Sequence, residues 1–270
     1  MSSTSNSDNF LEIKKLAGEI NDFYKQDERQ DSFNLLLCGD SGTGKTFLAS
    51  TCRKPVHIDS FDPGGTKHLK QWIDKGEIIS DTRYEGDDPF NPKVFGAWIT
   101  EMKKREKVEY FNHLGTYMLD SSTSWADAIM NDVLMKAGIP GTAPRFTHDY
   151  TPQKIQIVNW IKRMLRYPCD FILTGHLDGS KDEVSGKVSY RFMTTGKGEV
   201  TIPLLFDELW VTDTKETSAK VEYRILTRRT GPYVARTRIG REVFETYEKP
   251  DIKYLLKKVG KNFEDKPLFI

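Results

Sequence analysis

The sequence predicts an α/β fold in which a mostly parallel central sheet is flanked by helices and a β-rich hairpin region lies near the C-terminus. An apolar strand, a glycine-rich loop and a helix follow one another between residues 33 and 52. Further short apolar strands alternate with stretches of helical periodicity, which is typical of βαβ units. Two consecutive strands rich in β-formers, residues 206–212 and 220–227, predict the hairpin region.

Composition sets broad limits on function. The chain has 270 residues, with 40 basic and 39 acidic side chains, so no overall charge points to nucleic acid or to a membrane surface. Its three cysteines are widely spaced and lack metal-ligand spacing, which fits a reducing cytosol. No apolar stretch is long enough to span a bilayer and no signal-peptide pattern precedes residue 10, so we expect a cytoplasmic protein.

Residues 1–31 are predicted to lie outside the core. Residues 1–8 are polar and are expected to be a disordered lead. From Phe10 to Phe23, apolar side chains recur at steps of three and four residues, which predicts an amphipathic helix. Its apolar stripe must pack either on its own domain or on a neighbouring subunit. Residues 32–248 then form the core, and residues 249–270 a helix with a loose tail.

The glycine-rich loop, here called the P-loop, matches the phosphate-binding pattern G-x-x-x-x-G-K-[ST]. Its residues are Gly39, Asp40, Ser41, Gly42, Thr43, Gly44, Lys45 and Thr46. Glycines let successive N–H groups point inward, and the following helix adds its positive end. We therefore expect Lys45 to reach the β- and γ-phosphates of a nucleotide and the Thr46 hydroxyl to ligate Mg²⁺.

Two acidic residues at the end of the next strand are candidates for a general base. The strand Val56–Asp59 runs into a turn-rich loop that contains Asp62. The carboxyl ends of strands in open α/β sheets are where ligands lie, so Asp59 or Asp62 could deprotonate an attacking water. Asp62 precedes Pro-Gly and could instead simply form the turn. Residues 69–79 and 94–105 then show helical spacing.

A third strand ends in Asp120, which is the candidate metal-side carboxylate. Asp120 could also cap the helix predicted over residues 125–136. A loop over residues 138–152 and a helix over residues 155–165 lead to a fourth strand, which ends at His176. His176 either senses the γ-phosphate or is a structural residue.

Basic residues near the end of the chain offer two further sites. The glycine-bearing loop 178–199 carries Lys187, Arg191 and Lys197, which could hold a polyanion or simply belong to a mobile hairpin. Arg236 and Arg238 lie in the segment that closes the core, where exposed arginines can simply be solvated.

Five features follow one another along the chain. They are the P-loop, the segment Ile58–Gly65, the strand ending in Asp120, His176 at a strand tip and the late Arg236–Arg238 segment. In that order the chain resembles the RecA-like ATPases over about residues 33–248. More narrowly it resembles bacteriophage P-loop nucleotide-binding proteins, which are compact RecA cores associated with single-strand annealing and recombination.

The resemblance implies a RecA-like P-loop NTPase core that binds ATP and Mg²⁺. It also implies a homo-oligomer that binds single-stranded DNA and interacts with other recombination or replication proteins. Such a protein would act in the host cytoplasm and would not bind membranes. The resemblance further implies that Asp120 is the metal-side acid and that Arg236 and Arg238 reach a neighbour's nucleotide as arginine fingers. Many RecA-like proteins place a catalytic glutamate two residues beyond the second strand's Asp. That position is Phe61, so the base stays open between Asp59 and Asp62.

The leading functional hypothesis is a Mg²⁺-dependent ATPase of phage-type DNA recombination or replication. Two alternatives stay open. One is a P-loop kinase that phosphorylates a small molecule or nucleotide. The other is an ATP-gated assembly factor with little hydrolysis, which the displaced acid Asp62 would favour.

Overall fold

A mixed sheet of eight strands forms the centre of the computed structural model, which describes residues 4–27, 31–181, 183, 186, 188–194, 198–217 and 220–269. The strands are β1 (Asn34–Cys38), β2 (Val56–Ser60), β3 (Ile78–Asp81), β4 (Thr116–Asp120), β5 (Asp170–Gly175), β6 (Leu177–Lys181), β7 (Val188–Phe192), β8 (Glu208–Glu216), β9 (Val221–Leu226) and β10 (Tyr247–Glu248). The α-helices are α1 (Thr4–Gln26), α2 (Lys70–Ile73), α3 (Val94–Lys107), α4 (Ser122–Lys136), α5 (Phe146–Met164), α6 (Gly198–Thr201) and α7 (Ile252–Lys258). Short 3₁₀ helices cover Thr46–Thr51, here called the P-loop helix, Lys67–Leu69, Tyr110–His113 and Pro203–Leu205.

The strand order is β10-β9-β8-β1-β5-β4-β2-β3, and β6 pairs with β7 in a separate hairpin. Every pair from β8 to β3 is parallel, whereas β8–β9 and β9–β10 are antiparallel. The predicted α/β fold class, with antiparallel strands towards the C-terminus, is therefore confirmed. The parallel strands all end at one edge of the sheet, where the loops after β1, β2, β4 and β5 meet.

Both faces of the sheet are covered, so the central strands are apolar throughout rather than alternating. Leu35, Leu36 and Leu37 of β1 are all fully buried. Helices α3, α4 and α5 cover one face, where the rings of Trp98 and Trp160 lie 4.7 Å apart. The P-loop helix and α7 cover the other face. Burying one such leucine contributes about 1.5–3 kcal/mol.

Helix α1 begins at Thr4, so the backbone is helical in part of the predicted disordered lead, and that prediction is wrong there. Seven large apolar side chains of α1 are exposed by 55 to 73%. They are Phe10, Leu11, Ile13, Leu16, Ile20, Phe23 and Tyr24. The amphipathic stripe is present, but the core does not cover it. None of the helices in the described residues combines the length and apolarity of a membrane span.

Two other boundaries differ from the sequence prediction. Helix α5 starts at Phe146 and includes Pro152, inside the predicted loop. The Asp149 carboxylate accepts hydrogen bonds from the backbone N–H and the guanidinium of Arg145, which anchors the helix start before the proline. Residues 78–81 form strand β3 rather than continuing a helix, because they pair with β2 at the edge of the sheet.

Residues 262–269, here called the C-terminal strap, are not the loose end that the sequence predicts. The backbone N–H of Lys54 donates to Asp265 Oδ1 at 2.5 Å, and the N–H of Lys266 donates to the Lys54 carbonyl at 2.8 Å. Arg53 Nε donates to the Glu264 carbonyl at 3.2 Å. These bonds tie the strap to the chain just before β2.

The strap also reaches the residues before β4 and β5. Lys266 Nζ donates to the carbonyls of Asn112 at 2.9 Å and Pro168 at 3.3 Å, and the Phe269 ring stacks on Tyr110 with centroids 5.6 Å apart. The strap therefore joins the starts of three strands, at the edge of the sheet opposite the P-loop.

Deleting residues 262–270 should destabilise the fold by about 2–4 kcal/mol, taking about 1 kcal/mol for each lost hydrogen bond. We expect the Tm in a thermal melt to fall by about 5 to 15 °C. Deletion of residues 1–27 is the matched control and should leave the Tm of the monomeric chain nearly unchanged, because the apolar face of α1 is exposed, so both variants are melted at a concentration where sedimentation shows monomers. Equal Tm values for the strap deletion and the full chain would contradict this prediction.

Candidate nucleotide-binding site

The P-loop borders a cavity of about 640 Å³ at the carboxyl edge of the sheet. Several sequence candidates line this nucleotide cavity together: Lys45, Thr46, Asp62, Asp120 and His176. The remaining lining residues are Ser41, Gly42, Thr43, Gly44, Phe47, Leu48, Gly65, His68, Thr212, Tyr223 and Pro250. Residues from the ends of β1, β4, β5 and β8 thus meet around one volume.

Two features of the P-loop backbone require glycine. Gly42 and Gly44 have φ values of 80° and 89°, a region that side chains with a Cβ rarely adopt. At Gly39 a Cβ would lie 2.0 Å from the Oγ1 of Thr212 on β8. Thr212 Oγ1 is also 2.7 Å from Thr43 Oγ1, which ties the loop to β8. The neighbouring strand therefore holds the loop in shape.

Lys45 is folded onto its own loop. Its Nζ donates to the carbonyls of Gly39 at 2.9 Å and Asp40 at 2.8 Å. Burial lowers the pKa of Lys45, and the nearby Asp120 carboxylate opposes this shift. The ammonium group is thus held beside the cavity by neutral carbonyls, which a phosphate group could replace with a stronger charge-assisted hydrogen bond.

Asp120 is the buried acid of the site, with 2% of its surface exposed. Its Oδ2 accepts the Thr46 hydroxyl at 2.6 Å, and its Oδ1 accepts the hydroxyl of Thr174 from β5. Burial raises the pKa of Asp120, while the two hydroxyl hydrogen bonds lower it. The hydroxyl of Thr46 and the carboxylate of Asp120 are hard oxygen donors of the kind that Mg²⁺ prefers, so these residues fit the predicted metal.

Asp62 reaches the cavity from the loop after β2. Its Oδ1 accepts hydrogen bonds from the hydroxyls of Ser121, at 3.0 Å, and Ser124, at the start of α4. Among the described residues, its Oδ2 has no hydrogen-bond donor. One carboxylate oxygen thus fixes the orientation of Asp62 and the other stays available to a water molecule.

Asp59 does not lie in the cavity. Side chains of a strand alternate between the two faces of the sheet, and Asp59 shares the α3 face with His57. It is fully buried, and its carboxylate accepts hydrogen bonds from Trp98 Nε1 at 2.8 Å, Arg105 at 2.9 Å and the Tyr117 hydroxyl at 2.6 Å. The structure therefore contradicts Asp59 as the base.

His57, Asp59 and Asp81 are close enough to suggest a metal site on that face. The cation there is the Arg105 guanidinium, which contacts Asp59 at 2.9 Å and Asp81 at 2.6 Å. Burial disfavours the charged form of Asp59, but hydrogen bonds and charges from His57 and Arg105 hold the pKa of Asp59 below its usual range. This cluster is a buried ion-pair network, which links β2 and β3 to α3.

His176 follows β5 and lines the cavity next to the P-loop. The preceding Gly175 accepts a hydrogen bond from the N–H of Gly39 at 3.2 Å. The His176 carbonyl accepts the N–H of Met193 at 2.9 Å, which closes the β6–β7 hairpin. His176 therefore stands between the P-loop and this hairpin.

Arg236 and Arg238 lie outside the cavity of their own chain. The Arg236 guanidinium donates to the carbonyls of Pro203 at 2.7 Å and Phe206 at 3.0 Å, so it supports the turn before β8. Arg238 donates to the Leu204 carbonyl at 3.0 Å and its side chain is 48% exposed. Of the two, Arg238 is the one with a surface to offer a neighbour.

The proposed polyanion loop is only partly described. Lys187 and Lys197 lie outside the described residues. Arg191 is in β7, and its guanidinium is 3.4 Å from the Glu199 carboxylate. The segment is a hairpin, β6 paired with β7, and Tyr190 stacks on Tyr233 with centroids 5.2 Å apart.

Sequence reasoning missed His68, Thr212, Tyr223 and Pro250 in the cavity lining. The last three come from the C-terminal part of the chain, and none of the four carries a motif. A signal was available for Thr212, because a strand that pairs beside β1 must present its last residues to the P-loop. No sequence signal placed Tyr223 or Pro250 there.

Variants of Asp59 and Asp62, the two acids near the end of β2, should differ in their effects on ATP hydrolysis and on stability. Asp62→Asn should slow single-turnover ATP hydrolysis by roughly 10²- to 10⁴-fold, as for loss of a general base, and leave the Tm unchanged. Asp59→Asn should instead lower the stability by about 3–5 kcal/mol, because Arg105 then faces a buried neutral partner. If Asp59→Asn slows hydrolysis at an unchanged Tm, the assignment is reversed.

The Asp59→Asn variant should also change how the stability of the fold depends on pH in acid. The depressed pKa of Asp59 contributes stability above the unfolded-state pKa of about 3.9, and that contribution is lost as the pH falls further. A plot of unfolding free energy against pH should therefore be flatter below about pH 4 for Asp59→Asn than for the native chain. Parallel curves would contradict this.

Comparison with known proteins adds the family. Among solved structures, the chain is similar to a KaiC-like protein from Pyrococcus horikoshii OT3, at 16% identity and TM-score 0.41, covering 77% of this chain and 82% of that one. It is also similar to the flagellar accessory protein FlaH from Methanocaldococcus jannaschii, at 11% identity and TM-score 0.39, covering 80% and 83%. No curated protein sequence matches the chain.

One family model matches residues 32–239, which is more than half of the chain and includes the P-loop, Asp62, Asp120 and His176. The model is described as an AAA domain, and its span covers strands β1 to β9 and the P-loop. The chain therefore belongs to the AAA domain family AAA_24.

Proposed function

We propose that this protein is a Mg²⁺-dependent ATPase that works as a homo-oligomer with single-stranded DNA, in phage-type recombination or replication. The observation that carries the ATPase part is the meeting of Lys45, Thr46 and Asp120 in one cavity, with a 2.6 Å hydrogen bond between the last two. Membership of a P-loop family supports nucleotide binding.

The residues of the cavity divide the chemistry between them. Lys45 and the P-loop amides bind the phosphates, while Thr46 and Asp120 would hold Mg²⁺, which neutralises charge on the phosphate oxygens. Asp62 accepts a proton from water through its Oδ2 as the water oxygen bonds to the γ-phosphorus. The bond to the β–γ bridging oxygen breaks, giving ADP and phosphate.

The position of the β6–β7 hairpin supports the DNA part of the proposal. The hairpin begins directly after His176, which lines the nucleotide cavity and whose carbonyl accepts the N–H of Met193, the residue that follows β7. Arg191 and the stacked Tyr190 offer the charge and the aromatic face that single strands use. Basic residues Lys187 and Lys197 belong to the same segment of the sequence.

The exposed apolar face of α1 supports self-association. A stripe of seven large apolar side chains rarely stays in water on a monomeric protein. Arg238 is half-exposed and could reach a neighbour's γ-phosphate, whereas the carbonyl contacts of Arg236 leave it less free to do so. In this proposal Arg238 is the arginine finger.

A slow, ATP-gated assembly factor is the second candidate. It is favoured by the position of Asp62, which lies one residue beyond the place of the RecA-like catalytic glutamate and has its Oδ1 already occupied by two serine hydroxyls.

The test of the main proposal is the steady-state release of phosphate from MgATP. We expect single-stranded DNA to stimulate release with no added acceptor, and we expect Asp120→Ala or chelation of Mg²⁺ to abolish it. Arg191→Ala should reduce the stimulation and leave the DNA-free rate unchanged, whereas Arg163→Ala, on α5 and paired with Glu106, is the control. A rate that ignores DNA, together with phosphoryl transfer to an added acceptor, would favour a kinase. A single slow turnover would favour the assembly factor.

The proposed role of Arg238 as an arginine finger in a neighbouring chain is tested by mixing two variants. Arg238→Ala and Lys45→Ala chains should each be inactive, and their mixture should regain part of the ATPase activity, because the intact P-loop of one meets the intact Arg238 of the other. Repeating the mixture with residues 1–27 deleted from both chains should abolish the rescue. Absence of rescue in a mixture that sedimentation shows to be assembled would rule out Arg238 as the finger.

A further inference from the structure

One aromatic side chain of the nucleotide cavity has no role in the chemistry proposed above. Tyr223, on β9, lies beside the P-loop, and its Cδ1 is 3.4 Å from the position that a Cβ on Gly44 would occupy. The residue is 46% exposed. Within the described ranges, Tyr223 has neither a hydrogen bond through its hydroxyl nor a ring partner.

The sheet fixes the position of Tyr223. It pairs with Thr214 in the β8–β9 ladder, two residues beyond Thr212, which contacts Thr43 of the P-loop. The ring is therefore set at a constant height above the loop by two strands and a hydroxyl contact. A side chain held in this way presents a preformed flat surface.

Phe47 is the other aromatic residue of the lining with comparable exposure, at 47%. Its ring already stacks on His68, with centroids 6.0 Å apart, and meets the edge of Trp72 at 5.5 Å. Phe47 thus has ring partners within the protein, whereas Tyr223 has an unused face.

The two parts of the cavity differ in chemistry. The hydroxyl, ammonium and carboxylate groups of Thr46, Lys45 and Asp120 belong to the phosphate end. What remains of the described lining beyond the P-loop and the loops at the strand tips is Phe47, Leu48, His68, Tyr223 and Pro250. These apolar and aromatic surfaces are left for the sugar and the base.

Within the described residues, the polar side chains of this part of the cavity are His68, whose ring stacks on Phe47, and Tyr223 through its hydroxyl. The lining formed by the described residues contains no Asn, Gln, Glu or Arg, and its carboxylates, Asp62 and Asp120, lie with the phosphate and metal groups. Sites that hydrogen-bond a ligand reject analogues by factors of about 10⁴, while apolar sites discriminate only about 10- to 200-fold.

We propose that Tyr223 is the platform on which the nucleobase stacks, and that the site accepts purine nucleoside triphosphates without reading the base edge. ATP and GTP then bind with similar affinity. This inference rests on the proposed function, since it concerns the same cavity, and it extends that function from ATP to both purine nucleotides.

The test measures the dissociation constants of MgATP, MgGTP and magnesium tripolyphosphate, which has the phosphates but no base. We expect ATP and GTP to agree within about tenfold. Tyr223→Ala should weaken both nucleotides by roughly 5- to 150-fold, the equivalent of one lost base stack, and leave tripolyphosphate unchanged. Tyr223→Phe should bind like the native chain. Tyr254→Ala removes an equally exposed tyrosine, outside the described lining, and serves as the control.

Each of three results would overturn the inference: unchanged nucleotide affinity in Tyr223→Ala, an equal loss for tripolyphosphate, or a difference between ATP and GTP larger than about tenfold in the native chain. Tyr223→Leu keeps the apolar bulk without the ring, and it replaces the alanine variant if that variant does not fold. A native chain that binds neither nucleotide nor tripolyphosphate would instead overturn the proposed function, which separates the two failures.

Discussion

The site depends on one carboxylate, Asp120, which is held between the hydroxyls of Thr46 and Thr174. Asp120 ends β4 and lies on the face of the sheet that packs against the P-loop helix. It therefore connects β4 to the P-loop. A buried acid with these two neutral donors carries charge that they only partly balance, so the site favours a cation. The burial of this carboxylate, its orientation and its preference for a metal ion thus all follow from the position of Asp120 at the end of β4.

Much of this arrangement could be predicted from the sequence, because the P-loop is a local motif and the residues at the ends of parallel strands must meet. The position of Asp59 relative to the nucleotide cavity could not be predicted in the same way. Strand parity places Asp59 with His57 on the α3 face, but the sequence does not say which face the P-loop helix covers. Strand β3 could not be predicted because its four residues are held in the sheet by tertiary pairing with β2. Tyr223 could not be placed, since its position depends on a β8–β9 register set by tertiary pairing.

Gly175 is the point where the P-loop and the β6–β7 hairpin meet without spare room. Its carbonyl accepts the N–H of Gly39, and a Cβ on it would lie 2.5 Å from the Phe192 ring and 2.9 Å from the Ser122 hydroxyl. Packed interfaces of this kind shift between discrete arrangements rather than deform smoothly. A change in the shape of the P-loop would therefore shift the start of the β6–β7 hairpin, one residue from His176.

The C-terminal strap has a consequence for how the sheet opens. The segments that precede β2, β4 and β5 all exchange hydrogen bonds with residues 264–266, at the edge of the sheet opposite the P-loop. Local unfolding of a protein proceeds through contiguous cooperative units. Detachment of the strap would therefore expose the starts of these three strands to amide exchange together, while the nucleotide cavity at the other edge keeps its own hydrogen bonds.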